Sequence, residues 1–124
     1  MSNQATALKL SEFNANLSYP WGMTWVNSDQ LLITQKKSYE IMLIDTLKNT
    51  SIKIDHDIPV DGREQGGLLD IISEGNNVWI TCSIKKDYGY TTAVFRAKLE
   101  NNKLVDIQLI FEALPYITNG RHFG

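Results

Sequence analysis

The strongest constraint on this chain is a side-chain period of two that persists along most of its length. Val78, Ile80, Cys82 and Ile84 alternate with Trp79, Thr81 and Ser83, and Val105, Ile107, Leu109 and Phe111 alternate with Asp106, Gln108 and Ile110. Successive side chains of a strand point to opposite faces, so this pattern gives each strand one apolar face, whereas a helix would space its apolar residues three and four apart. Turn-forming clusters separate the runs: "NSDQ" at 27–30, "KKS" at 36–38, "LKNT" at 47–50, "EGNN" at 74–77, "KKDYGY" at 85–90 and "ENNK" at 100–103. The spacing predicts strands over 23–26, 31–35, 41–45 and 51–55, and again over 68–73, 78–84, 92–99 and 104–111.

These eight segments fall into two groups of four, each a meander that follows a glycine-containing opening, "PWGM" for the first and "QGGLLD" for the second. The opening glycines, Gly22 and Gly67, lie 45 residues apart. A repeat of about that length with four strands per unit is the signature of β-propeller blades. A propeller needs about four blades or more to close, however, and eight or nine short strands can also form a self-contained sandwich or small barrel. Periodicity alone leaves both open.

Charge and apolar content narrow the function. The net charge of -2, with 43% hydrophobic and 21% charged residues, is the balance of a globular domain. The basic pairs Lys36-Lys37 and Lys85-Lys86 sit in turn signals and read as solvated hairpin loops, not as a phosphate-binding stripe, so nucleic acid is not an expected partner. The apolar runs are too short to cross a bilayer as helices, and residues 1–13 show no secretory signal. Cys82, the single cysteine, excludes an intrachain disulfide and reads as a small buried hydrophobe. His56, between Asp55 and Asp57, reads as a solvated strand end, since one histidine without a preformed shell makes no metal site.

Taken in order, "LSYPWGMTWVNSDQLLITQKK", "GREQGGLLDI", "VWITCSI", "TTAVFRAKL", "DIQLIFEALP" and "NGRHFG" resemble the opening third of the soluble quinoprotein sugar dehydrogenases, the aldose (glucose/sorbosone-type) enzymes that use pyrroloquinoline quinone. The resemblance covers about residues 17–124. It implies an all-β, six-bladed propeller, which tips the choice away from a closed sandwich. On that reading residues 1–19 carry an N-terminal strand, 20–64 the first blade, 65–115 the second and 116–124 the start of a third.

The same resemblance implies oxidation of an aldose to its lactone by hydride transfer to pyrroloquinoline quinone, with calcium. His122 matches the family's general base, and an imidazole, with its ordinary pKa of about 6.5, suits that task near neutral pH. Gln65 matches a glutamine at the quinone and sugar site, where a neutral amide can donate and accept at once. Asp70 reads as a structural carboxylate and Trp21, Trp25 and Trp79 as packing between blades. The family is generally exported to the periplasm. The remaining cofactor and calcium ligands are expected outside residues 1–124, so the chain reads as an N-terminal fragment, inactive alone. The alternative function is a non-catalytic binding module. Open blade edges also invite self-association, for which a cyclic trimer is the simplest closed form.

Overall fold

The structure, a computed structural model, describes residues 8–13, 16–121 and 123. Eight strands follow in order: β1 Pro20–Trp25, β2 Gln30–Gln35, β3 Ile41–Asp45, β4 Thr50–Ile54, β5 Leu68–Glu74, β6 Asn77–Lys86, β7 Gly89–Glu100 and β8 Lys103–Glu112. They form two four-stranded antiparallel meanders, β1-β2-β3-β4 and β5-β6-β7-β8. Local chemistry fixes the hairpins. The Asn27 carboxamide oxygen accepts from the amides of Asp29 and Gln30, both at 2.9 Å, closing the turn into β2. Asp45 does the same for Leu47 and Lys48 at 3.0 and 2.9 Å. Between β7 and β8, Asn101 and Asn102 both take positive φ, 52° and 61°, which is the twist that a two-residue hairpin requires and that asparagine tolerates.

The inward faces of the two sheets share one core. Leu32, Ile41, Leu43 and Ile54 from the first sheet meet Leu68, Ile71, Val78, Ile80, Cys82, Phe95 and Leu104 from the second, with Ile58 of the connecting loop between them. The alternating set Val78, Ile80, Cys82 and Ile84 is buried throughout, as the pattern of two predicts.

Polar ties fix the sheets to one another beside that core. Thr34 Oγ1 donates to the Leu69 carbonyl at 2.6 Å and accepts from the Gly22 amide at 2.9 Å. Thr24 Oγ1 accepts from the Ser73 amide at 3.1 Å, and the Ser73 hydroxyl donates to the Trp25 carbonyl at 2.9 Å. The backbones approach so closely that a Cβ at Gly22 would lie 2.9 Å from Asp70 Cα and 2.7 Å from its Oδ1. Only glycine fits that position. At the outer strands, Asp55 pairs with Lys103, and the Leu104 amide donates to the Asp55 carbonyl at 2.9 Å.

Four expectations differ from what is observed. No described residue before Pro20 lies in a strand; instead Phe13 and Leu17 pack against Leu31, Ile33 and Ile44 on the far face of the first sheet. The turn placed at 85–90 is tighter, because Lys86 pairs with Gly89 and only Asp87 and Tyr88 turn. In β8 the alternation breaks: Leu104 is buried, whereas Leu109 and Phe111 are exposed. Asp106 takes φ 52°, and register shifts against β7 reset which face each residue meets. Trp21 and Trp25 do not pack between the sheets; they are 57% and 55% exposed. Trp79 is half-buried, opposite Ile72 and Arg96 on the outer face of the second sheet.

Candidate active site

Gln65 lies in the connection between β4 and β5, the one segment that joins the two sheets. The turn around it is closed by the Gly66 amide, which donates to the Arg63 carbonyl at 2.8 Å, and it needs a positive φ of 51° at Glu64. Such a turn has little intrinsic stability and depends on what surrounds it.

Lys37 supplies most of that support. Its ammonium donates to the carbonyls of Gly62 and Gly66, each at 2.9 Å, and to that of Glu64. An ammonium has three N–H groups, and here all three are used. Other partners brace the same loop. The Gly62 amide donates to the Tyr39 hydroxyl at 2.7 Å, the Gly67 amide to Ser83 Oγ at 2.7 Å, and the Ser83 hydroxyl to the Asp61 carbonyl. His56 completes the bracing: its Nδ1 accepts from the Ile58 amide at 3.2 Å, so Nε2 carries the proton and donates to the Tyr39 carbonyl at 2.6 Å. The histidine is thus a half-buried bracket, not a solvated strand end. Lys36 and Lys37 likewise correct the reading of a solvated hairpin loop, since Lys36 is 8% exposed and Lys37 is held by three carbonyls.

The loop is also tied to the end of the described chain. The Gln65 amide donates to the Gly120 carbonyl at 2.7 Å, and Arg121 Nε meets Glu64 Oε2 at 3.0 Å. The contact is backbone to backbone, for a Cβ at Gly120 would lie 2.5 Å from the Arg63 carbonyl oxygen. His122 lies outside the described residues. Its neighbours bracket its position in the chain: Arg121 is anchored to Glu64, and Phe123 is 5% exposed and packs with Leu69 and Tyr90.

Gln65 and Phe123 line one cavity with Trp21, Lys36 and Leu69, about 280 Å³ in volume. That is at the small end for a complete small-molecule site, about 300 Å³ or more, so these residues make a wall and not a closed pocket. The walls are aromatic and aliphatic, with a carboxamide and an ammonium as the polar groups. The Lys36 Nζ stands 3.8 Å from the centre of the Trp21 ring. Desolvation, and after it the like charge of Lys37, hold the Lys36 pKa below the ordinary lysine value. Periodicity gave no sign of Lys36 and Trp21 as a pair, because Lys36 lies in the turn after β2 and Trp21 in β1, and the two meet only through the fold.

Other candidates sort themselves by geometry. Asp70 sits where the β5–β6 register shifts; its side chain is exposed and its Oδ1 accepts from the Ile71 amide at 2.9 Å, a local structural role. Cys82 is fully buried, and desolvation pushes its thiol up to about 12. Among the described residues no group of three His, Cys, Asp or Glu side chains converges to hold a metal ion. A larger hollow of about 440 Å³ lies on the far face of the first sheet, between Phe13, Leu17, Trp25, Leu31, Ile33 and Ile44. Its wall is mostly apolar, with Ser11, Glu12 and Thr46 as its polar residues, and it lies on the opposite face of the sheet from the shared core.

The architecture has close counterparts among solved structures. A crystal structure of glucose dehydrogenase superimposes with a TM-score of 0.83 at 27% identity, covering 92% of this chain and 36% of its own. The pyrroloquinoline-quinone-bound form of an aldose sugar dehydrogenase from Streptomyces coelicolor superimposes with a TM-score of 0.74 at 18% identity, over 86% of this chain and 34% of its own. The two meanders are therefore blades of a β-propeller of the sugar dehydrogenase type.

The glucose/sorbosone dehydrogenase family model matches residues 17–124, and the chain belongs to that family. The aldose sugar dehydrogenase YliI of Escherichia coli (strain K12) is 25% identical over 116 residues, which is 87% of this chain and 31% of the relative. The chain spans about a third of the length of these relatives.

Proposed function

We propose that the protein takes part in the oxidation of an aldose to its lactone with pyrroloquinoline quinone, and that residues 17–124 supply one wall of that site. The observation that carries this reading is the junction of Gln65 with the segment that leads to His122, through the 2.7 Å hydrogen bond from the Gln65 amide to the Gly120 carbonyl. Family membership and the quinone bound in the Streptomyces coelicolor neighbour support the choice of chemistry. The cavity suits a flat, carbonyl-bearing ring, with Trp21, Leu69 and Phe123 as apolar surface and the Gln65 carboxamide as donor and acceptor.

When bound, the quinone would supply the electron sink, accepting hydride from the anomeric carbon. The chain's own residues do the rest. Gln65 orients a carbonyl or hydroxyl without adding charge, held to that task by the Lys37 clamp. His122 takes the proton of the anomeric hydroxyl, which leaves the lactone carbonyl behind. Calcium, implied by the same resemblance, has no three-ligand cluster among the described residues, so in this proposal its ligands come from elsewhere. Residues 1–124 alone then turn over no sugar, and the intact protein works in the periplasm.

The test is dye reduction by the intact protein, loaded with quinone and calcium and given glucose or another aldose. Turnover that falls at least a hundredfold in His122→Ala and about tenfold in Gln65→Ala is expected. Failure to bind the quinone would sink the proposal. A second reading, assembly between copies, is favoured by the outer face of the second sheet, where Ile72 and Phe111 are 62% and 60% exposed. Sedimentation of residues 1–124 as a trimer, lost in Phe111→Glu, would support it; a stable monomer would exclude it.

A further inference from the structure

We infer that Lys36 is a carboxylate-binding residue of this cavity: it takes an acidic group of the bound ligand, either a carboxylate of the quinone or that of an acidic sugar. The inference deepens the proposed function and rests on it for the location of the site. Lys36 is 8% exposed, which for a lysine normally means a paired charge. Among the described residues no carboxylate meets it, for the three ion pairs there belong to Lys53, Lys86 and Arg121. What the ammonium does meet is the face of Trp21 at 3.8 Å, beside Gln65 in the cavity wall. An aromatic face engages one side of an ammonium and leaves N–H donors unused.

The lysine is also held in place before any ligand arrives. Its amide donates to the Tyr19 carbonyl at 2.9 Å, and its carbonyl accepts from the Leu68 amide at 3.1 Å, so its backbone bridges the two blades. Its stem lies over Gly67, where a Cβ would come within 2.8 Å of Lys36 Cγ and 2.1 Å of its carbonyl oxygen. Gly67, with φ 142°, thus leaves room for the lysine next to the glutamine it serves. An arm fixed in this way loses little entropy on binding. Lys37 does not compete for the ligand, since three carbonyls occupy its donors, but its charge adds to the local positive potential. The lowered pKa of Lys36 agrees with an ammonium short of negative charge, a condition that a bound carboxylate would reverse.

The test uses the intact protein in low-salt buffer and calorimetric titration with pyrroloquinoline quinone, its trimethyl ester, glucuronate and the neutral glucuronamide. Lys36→Met keeps the stem and removes the charge. A charge-assisted hydrogen bond lost at a desolvated site predicts affinity for the carboxylate probes about ten- to a hundredfold weaker in the variant, with the neutral probes unchanged. Should that variant fold poorly, Lys36→Gln makes the same comparison; what decides is a preference of the unmutated protein for an acid over its ester or amide that the variant loses. A preference confined to the quinone assigns the carboxylate to the cofactor. One confined to glucuronate assigns it to the sugar, and with no quinone bound it leaves the lysine site standing while the quinone reading falls. Equal binding of both acids by both proteins, or no discrimination of either acid from its neutral analogue, would overturn the role of Lys36, while binding of the quinone itself would leave the quinone reading intact.

Discussion

Lys37→Met should loosen the Gln65 loop without melting the blades. Methionine keeps the four-atom stem of the side chain and removes all three donors. Of the three acceptors, the Gly62 and Glu64 carbonyls face solvent, where water can replace the ammonium and each bond contributes about 0.5 kcal/mol; the Gly66 carbonyl is half-buried and its bond contributes about 1 kcal/mol. The sum of about 2 kcal/mol corresponds to an opening about thirtyfold more frequent. Native-state hydrogen exchange reads this directly. The amides of Arg63, Gln65 and Gly67 should exchange about thirtyfold faster, while those of Val78–Ile84 in the core change far less, because the loop opens by itself. Wild-type exchange at Gln65 and Gly67 would refute the clamp and assign the loop to Tyr39 and Ser83 alone. Uniform acceleration across loop and core would refute its local nature.

Three further outcomes follow from the packing. Gly22→Ala places a methyl group against the Asp70 backbone and should cost about 2 kcal/mol, lowering the thermal midpoint by about 8 °C; an unchanged melt would mean that the blades part easily. Thr34→Val strands the Leu69 carbonyl and the Gly22 amide at the inter-blade seam and should cost about 2 kcal/mol in urea unfolding, whereas Thr34→Ser keeps both bonds and should recover most of it. Cys82, raised to about 12, should resist thiol reagents in the native state at pH 8 and react only on unfolding. Since the unfolded thiol ionises near pH 8.5 and the native one does not, the unfolded state binds fewer protons in that window. Stability therefore falls from about pH 8.5 to 12 by up to about 1.4 kcal/mol per pH unit, a slope that Cys82→Ala should lack.

The blades were legible in the sequence because each depends on local signals. Period two places Val78, Ile80, Cys82 and Ile84 inward, and Asn27, Asp45 and Asn101-Asn102 close hairpins with their own side chains or backbone. Where a strand is bent by a residue at positive φ, as β8 is at Asp106, the alternation changes phase and the inward set cannot be counted from one end. Gln65 was legible only through the resemblance; composition makes it one more polar residue in a glycine-rich turn. Lys36, Lys37 and His56 were misread for a different reason. Lysines and lone histidines at turns are usually solvated, and what holds these three is the Trp21 ring and the carbonyls of loop residues remote in sequence.

The geometry of the loop shows why one lysine can set the position of the glutamine. A trans peptide points its C=O and the following N–H in opposite directions. The three carbonyls that Lys37 gathers belong to the peptides joining residues 62 and 63, 64 and 65, and 66 and 67. The N–H ends of those same peptides therefore face away from the ammonium, and each finds a partner there: Arg63 donates to Asp61 Oδ1 at 3.0 Å, Gln65 to the Gly120 carbonyl at 2.7 Å and Gly67 to Ser83 Oγ at 2.7 Å. Holding the carbonyls inward thus turns the Gln65 amide toward the segment that leads to His122. The clamp and the junction are two ends of one peptide group, so neither can be lost without weakening the other.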